Sequence, residues 1–134
     1  MNETTLLPNR IAEIFKPTPR GIVGLVDDLF RVCSADGFEM EWREERCRIR
    51  IGAEKSDFME VPLPKSAFRA LLARIAALCN ERRANSVTPY GGKGELIVAQ
   101  DRSSLFIAAF VNTPSEQRLA LTPVPFNSSE AGQL

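Results

Sequence analysis

The chain has 134 residues, of which 44% are hydrophobic, and its 17 Lys and Arg are balanced by 17 Asp and Glu. This length predicts a single domain that folds around one core without disulfides. A formal net charge of zero disfavours nucleic-acid binding, which usually depends on an excess of Lys and Arg. Because the sequence contains no histidine, His-based triads, general bases and metal sites are excluded.

No stretch has the basic and apolar regions of a signal peptide or the length of a membrane-spanning helix. We therefore expect a cytoplasmic protein that does not insert into membranes. The three cysteines, Cys33, Cys47 and Cys79, lie in apolar periodic segments, which is typical of reduced thiols in a core. No residue pattern predicts a bound metal or cofactor.

Three prolines interrupt the amino-terminal segment and leave room for one short helix around residues 11–15. We expect residues 1–20 to form a flexible arm. Apolar residues then recur at helical spacing between Gly21 and the stop signal Gly37, which predicts a helix with one buried face. These residues are Ile22, Val26, Leu29, Phe30 and Cys33.

A β-hairpin is predicted next, because apolar and charged residues alternate on both sides of a Glu44-Glu45 turn. Its apolar positions are Phe38, Met40, Trp42, Cys47, Ile49 and Ile51. Residues 58–63 predict a third strand. Pro64 then opens a second helix, since proline is tolerated at the start of a helix. The apolar stripe of this helix is Phe68, Leu71, Leu72, Ile75, Leu78 and Cys79.

Polar residues 80–94 predict a loop that ends in a glycine-rich turn. Three further strands are predicted at residues 95–99, 105–111 and 118–122, and residues 125–134 predict a disordered tail. Six strands and two main helices that do not alternate one by one indicate the α+β class. We expect a mostly antiparallel sheet with the helices on one face, in a single domain over residues 21–124.

Arg46, Arg48 and Arg50 lie on one face of a predicted strand and form a row that is suited to binding carboxylates or phosphates. Glu39 and Glu41 lie opposite this row across the hairpin. Such pairs stabilise a hairpin modestly, so a solvated, mutually neutralised face is the interpretation we favour over a binding site or a carboxylate acid/base pair.

The segment Gly91-Gly92-Lys93-Gly94 has the composition of a phosphate-binding loop. A P-loop, however, has Ser or Thr after its lysine and leads into a helix, whereas here Gly94 follows and a strand is predicted. An ordinary turn is therefore favoured. Among the aromatic residues, Trp42, Phe106 and Phe110 are expected in the core. The same is expected of Tyr90, unless its glycine-rich surroundings expose it to a partner.

Short signatures between residue 22 and about residue 124 follow one another in a recognisable order. They are GFEME at 37–41, RIR at 48–50, ARIA at 73–76, ERR at 81–83, PYGGK at 89–93 and AAFVNTP at 108–114. This order resembles the amino-terminal, PAS-like domain that precedes the RecA-like motor in type II secretion and type IV pilus assembly ATPases. The corresponding family motifs are D-I-H-I-E, R-x-R, S-R-I-K, E-R-R, P-Q-D-G-R and R-V-S-T-x-P-T. The chain departs from them at Gly37, Glu39 and Tyr90-Gly91, and it lacks the arginine of the late strand.

The resemblance implies a stand-alone, diverged copy of this domain, without the motor's phosphate-binding loop and its acidic and histidine boxes. We therefore expect no enzymatic activity. We expect an adaptor or regulator that docks on a secretion or pilus ATPase, or competes for a place in its hexamer. The expected interaction residues are Arg48, Arg50, Arg82, Arg83, Tyr90 and Lys93. In the family's basic strand, Arg48 and Arg50 would face the phosphates of a neighbouring subunit.

Two alternatives remain open on the sequence alone. PAS-like sheets often bind small ligands, in which case a closed cavity lined by Phe68, Phe106 or Phe110 is expected. The other alternative is a plain dimerisation domain, which would associate with a second copy of itself. Nucleic acid is an expected partner in none of these cases.

Overall fold

A computed structural model describes residues 13–15, 21–33, 36–52, 57–97 and 105–124. The fold is α+β, which confirms the predicted class. Its two main helices are α1 (Gly21–Cys33) and α2 (Lys65–Arg82). Its strands are β1 (Phe38–Arg43), β2 (Arg46–Ile51), β3 (Met59–Val61), β4 (Gly91–Ile97), β5 (Leu105–Asn112) and β6 (Gln117–Pro123).

The six strands form one antiparallel sheet in the order β3-β2-β1-β6-β5-β4. The sheet has two halves, β1 to β3 and β4 to β6, and within each half the strands that follow one another in sequence are paired. The halves are joined at the centre by the pairing of β1 with β6. The helix α2 connects β3 to β4, so the chain crosses the whole sheet from one edge to the other between these strands. Within the sheet, strands that are distant in sequence therefore pair only at β1 and β6.

The turn between β1 and β2 consists of Glu44 and Glu45, whose φ angles are 55° and 64°. Two consecutive residues with positive φ are typical of the two-residue turns whose twist matches that of the flanking strands. Glycine or asparagine is preferred there, because other side chains are strained in the left-handed region. The hairpin therefore depends on its strand pairing, in which Glu39 lies opposite Arg50 and Glu41 lies opposite Arg48.

The core lies between the helices and one face of the sheet, which we call the inner face. Phe30 of α1 packs edge-on against Phe38 and Phe106, with ring centroids 5.9 and 5.1 Å apart. Ile14 and Phe15, which precede α1, are buried in the same core. The predicted stripe of α2 is confirmed, since all of its members are buried: Phe68, Leu71, Leu72, Ile75, Leu78 and Cys79.

The glycine-rich turn predicted at the end of residues 80–94 is confirmed only at Pro89 and Tyr90, which form a turn between Thr88 and Gly91. For Gly91 to Gly94 the prediction was wrong, because these residues belong to a strand. The helix α2 continues to Arg82, and β4 already begins at Gly91. The physical reason is close packing: a Cβ atom on Gly94 would lie only 3.1 Å from Val87 Cγ1 and 3.2 Å from Cys79 Cβ. Glycine is therefore favoured where α2 and the following loop approach the strand.

Three other predicted strand boundaries shift. The third strand covers only Met59–Val61, rather than residues 58–63, because the following Pro62 has no N–H to donate to the ladder. In the other half of the sheet, β5 continues to Asn112 and β6 runs from Gln117 to Pro123. The predicted tail, residues 125–134, lies outside the described residues.

Candidate functional site

The predicted interaction residues fall into two separate groups. Arg48 and Arg50 lie on β2, whereas Lys93 lies on the edge strand β4. Three strands separate β2 from β4, which corresponds to about 19 Å at the usual spacing between neighbouring strands. Tyr90 lies directly before β4, and Arg82 and Arg83 lie at the end of α2. The six residues therefore do not form one site.

The arginine row on β2 is neutralised by neighbouring carboxylates, as we expected. Its ion pairs are Arg46–Glu60 at 3.2 Å, Arg48–Glu44 at 3.5 Å and Arg50–Glu39 at 2.6 Å between nitrogen and oxygen. The third pair is the most constrained, because Arg50 donates both Nε and an Nη to one oxygen of Glu39. The Arg50 guanidinium also lies over the Phe58 ring, 4.5 Å from its centroid. Arg50 therefore has little freedom to bind phosphate.

The second group borders the β4 edge. Arg82 donates a hydrogen bond to Glu95 at 3.3 Å. Tyr90 is 65% exposed. The side chains of Arg83 and Lys93 are exposed and have no hydrogen-bond or ion-pair partner among the described residues. These two cations and the tyrosine are consequently available for contacts with another molecule.

The strand register defines a continuous surface on the side of the sheet opposite the helices, which we call the outer face. In one row across it, Lys93, Ala109, Ala120, Glu39 and Arg50 lie side by side. The neighbouring row is Gly91, Val111, Arg118, Glu41, Arg48 and Glu60. The outer face is thus divided into a charged half on β1, β2 and β3 and a largely apolar half centred on β5.

The strand β5 has apolar residues on both of its sides. Phe106, Ala108 and Phe110 are buried on the inner face. The alternate residues point to the outer face and are only partly buried. We call Leu105, Ile107, Ala109 and Val111, together with Ala120 of β6, the apolar strip. Strands that are apolar on both sides are typical of sheets covered on both faces. In the described part of the chain, however, both helices lie on the inner face.

The described residues contain no group of three or more Cys, Asp or Glu side chains that could hold a metal ion. Burial raises the pKa of Cys47 to about 12 and that of Cys79 to about 11, so both thiols are protonated and unreactive near neutral pH. Both are free and buried, as predicted, whereas nothing is described of the Cys33 side chain.

An open groove of about 760 Å³ lies at the start of α2, lined by Lys65, Ser66, Arg69, Ala70 and Asn112. Its polar groups already bind one another, since Arg69 donates to the Asn112 side chain at 2.9 Å and Asn112 donates back to the Arg69 carbonyl. The three phenylalanines expected to line a closed ligand cavity do not line this groove. Phe68, Phe106 and Phe110 are all buried in the core.

The apolar strip was not among the sequence-predicted site residues. Its signal was present, because the segment from Leu105 to Val111 is apolar at every position. A strand with one solvated face is expected to alternate instead. The outer position of the strip follows only from the register with β4 and β6.

A scan against protein-family models finds no match to this chain, and a search of curated proteins finds none either. The resemblance to the domain of secretion and pilus ATPases therefore stays a prediction. Among the described residues, no helix has both the length and the apolar character needed to cross a bilayer.

Proposed function

We propose that this chain is a non-catalytic protein-interaction domain that docks on a partner through the outer face of its sheet. The observation that carries this proposal is the apolar strip on β5, which no described helix covers. Neighbouring polar residues frame the strip, with Lys93 and Glu95 on β4 and Arg118 and Thr122 on β6. An apolar centre with a polar rim is the usual composition of protein interfaces.

The size of the apolar strip sets the energy available for docking. Four outward residues on β5 span about 20 Å, and the distance from β4 to β6 is about 10 Å. Covering about 200 Å² of apolar surface would contribute at most about 5 kcal/mol. Association itself costs about 4–15 kcal/mol. The strip therefore suits the centre of an interface in which the charged rim also takes part.

The partner we propose is a secretion or pilus assembly ATPase, on which the chain acts as a cytoplasmic adaptor or regulator. The support for this choice is the order of sequence signatures between residue 22 and residue 124. The α+β fold, in which a hairpin precedes a long helix that leads to a second run of strands, is compatible with that order. The absence of a metal cluster among the described residues and the protonated state of Cys47 and Cys79 are compatible with a role without catalysis.

The test is the dissociation constant between the purified chain and each secretion or pilus ATPase from the same organism. We expect Ile107→Asp to weaken binding at least tenfold, because an unpaired carboxylate would be buried in the interface. Val23→Asp is the matched control, since Val23 is 47% exposed on α1, away from the sheet. If no such ATPase binds the wild-type chain, the adaptor proposal fails.

The Arg48→Ala, Arg50→Ala double variant separates the charged half of the outer face from the apolar strip. Both side chains already have carboxylate partners within the chain. We therefore expect this variant to weaken ATPase binding only a few-fold, less than Ile107→Asp does. A larger loss in the double variant would instead place the centre of the interface on β2.

A further inference from the structure

We propose that the partner's docking element is a single amphipathic α-helix that lies along the apolar strip and places an acidic side chain against Lys93. This inference rests on the proposed interaction function and specifies the chemistry of the partner. Three observations support it: the dimensions of the apolar strip, the charges on its rim, and the ion pairs and backbone bonds that already occupy the rest of the sheet.

The apolar strip has the dimensions of one helix. The distance from β4 to β6 is about 10 Å, which matches the diameter of a helix with its side chains. The strip is about 20 Å long, and a helix of about 13 residues covers that length. The small side chains of Ala109 and Ala120 lie side by side in the middle of the strip, between the larger Ile107 and Val111. Side chains this small allow a partner helix to approach the sheet closely at this point.

The rim of the apolar strip carries one free charge. On β4, Glu95 is already bound to Arg82, and on β6, Arg118 is paired with Glu116 at 2.7 Å. Lys93 has no partner among the described residues and lies directly beside Ala109. A carboxylate on the flank of a docked helix would form an ion pair with the Lys93 ammonium group, whereas a basic side chain there would be repelled.

The remainder of the sheet disfavours a second copy of the chain or an added strand as the occupant. A second sheet over the outer face would also bury the charged half, whose ion pairs include Arg50–Glu39, and burying such pairs is unfavourable. At the start of the β4 edge, the backbone N–H and C=O of Gly91 are already bonded to Thr88, so an added strand could pair only with the residues that follow Gly91.

The test is a selection from a phage-displayed library of random 16-residue peptides on the immobilised full chain. We expect enriched peptides to have apolar residues at i, i+3 or i+4, and i+7, with Asp or Glu on one flank. A synthetic peptide of the consensus sequence should gain helical circular dichroism on binding. Its affinity should fall at least tenfold with Ile107→Asp and about three- to tenfold with Lys93→Glu, but remain unchanged with Val23→Asp. A peptide with Lys in place of its acidic residue should recover affinity for the Lys93→Glu variant.

The proposal is overturned if no peptide is enriched, if the enriched peptides lack helical spacing, or if Ile107→Asp leaves their affinity unchanged. Light scattering tests a further alternative. If the wild-type chain is a dimer and Ile107→Asp dissociates it, the occupant of the apolar strip is a second copy of the chain and the helix proposal is overturned. Ala109→Glu replaces Ile107→Asp if thermal melting shows that the latter does not fold. If Ile107→Asp loses ATPase binding but no peptide is enriched, the proposed interaction function is supported and only the proposal of a helical docking element is rejected.

Discussion

The close approach of α2 and its following loop to β4 leads to a prediction about Gly94. This glycine faces Val87 and Cys79, and a Cβ atom at its position would lie 3.1 Å from Val87 Cγ1, 3.2 Å from Cys79 Cβ and 3.3 Å from Cys79 Sγ. These distances are a few tenths of an ångström too short for an unstrained contact. We therefore expect Gly94→Ala to destabilise the fold, although alanine is more favourable than glycine in a strand.

The magnitude follows from two opposing effects. Replacing glycine by alanine restricts the unfolded chain and stabilises a protein by about 0.4–1 kcal/mol where the native backbone permits it. Adding a methyl group to a filled core costs about 1–3 kcal/mol. The net effect expected for Gly94→Ala is therefore a loss of about 1 kcal/mol in the free energy of unfolding. For a domain of this size, that loss lowers Tm by about 3–5 °C.

A double-mutant cycle with Val87→Ala tests the cause of this loss. Removing the Val87 methyl groups makes room for the new Cβ atom, so the double variant should be more stable than the sum of the single effects by about 1 kcal/mol. Free energies of unfolding from urea titrations of the four proteins give this coupling. If Gly94→Ala is neutral, or if the two effects add within about 0.5 kcal/mol, the close packing of the loop on β4 is refuted.

Four further predictions concern the hairpin and the buried thiols. Arg50→Ala should lower the free energy of unfolding by about 1–2 kcal/mol, because the pair with Glu39 is doubly hydrogen-bonded and mostly buried, whereas Arg46→Ala should cost less than about 0.5 kcal/mol in the same urea titration. Glu45→Gly should raise the stability of the hairpin by about 1 kcal/mol, because it relieves a non-glycine residue at φ 64°; an unchanged Tm would contradict this. Iodoacetamide at pH 8 should modify Cys47 and Cys79 only on unfolding, as mapped by mass spectrometry. Stability should fall as pH rises above 9, toward 11–12, because the unfolded thiols ionise there while the folded ones stay protonated.

The sequence predicts the fold class and most elements, because their side chains repeat with an unambiguous period. The hairpin is an example: its alternating apolar residues determine both strands, and charged residues flank the turn even though Glu44 and Glu45 are poor turn formers. Gly92 and Gly94 show the limit of local reasoning. A glycine-rich segment is compatible with a turn and with a strand packed closely on a helix, and only the position of α2 distinguishes the two.

The candidate site was less predictable than the fold. The expected interaction residues were chosen one by one from charge and from the family resemblance. The distances between them depend on the strand order of the sheet, in which β2 and β4 are far apart. Arg50 illustrates the result, since its guanidinium is held by Glu39 and Phe58 within the chain. The apolar strip was missed because only the positions of the helices show that no described helix covers the outer side of β5.

Photo-crosslinking in the native cell tests the outer-face interface most directly. A benzophenone amino acid would replace Ala109 in the centre of the apolar strip, and Ala70, which is exposed on α2, would be the matched control. We expect an adduct with another protein from position 109 and none from position 70, with the crosslinked peptide lying on an amphipathic helix of that protein. Absence of an adduct at position 109, or an adduct only with a second copy of this chain, would contradict this prediction.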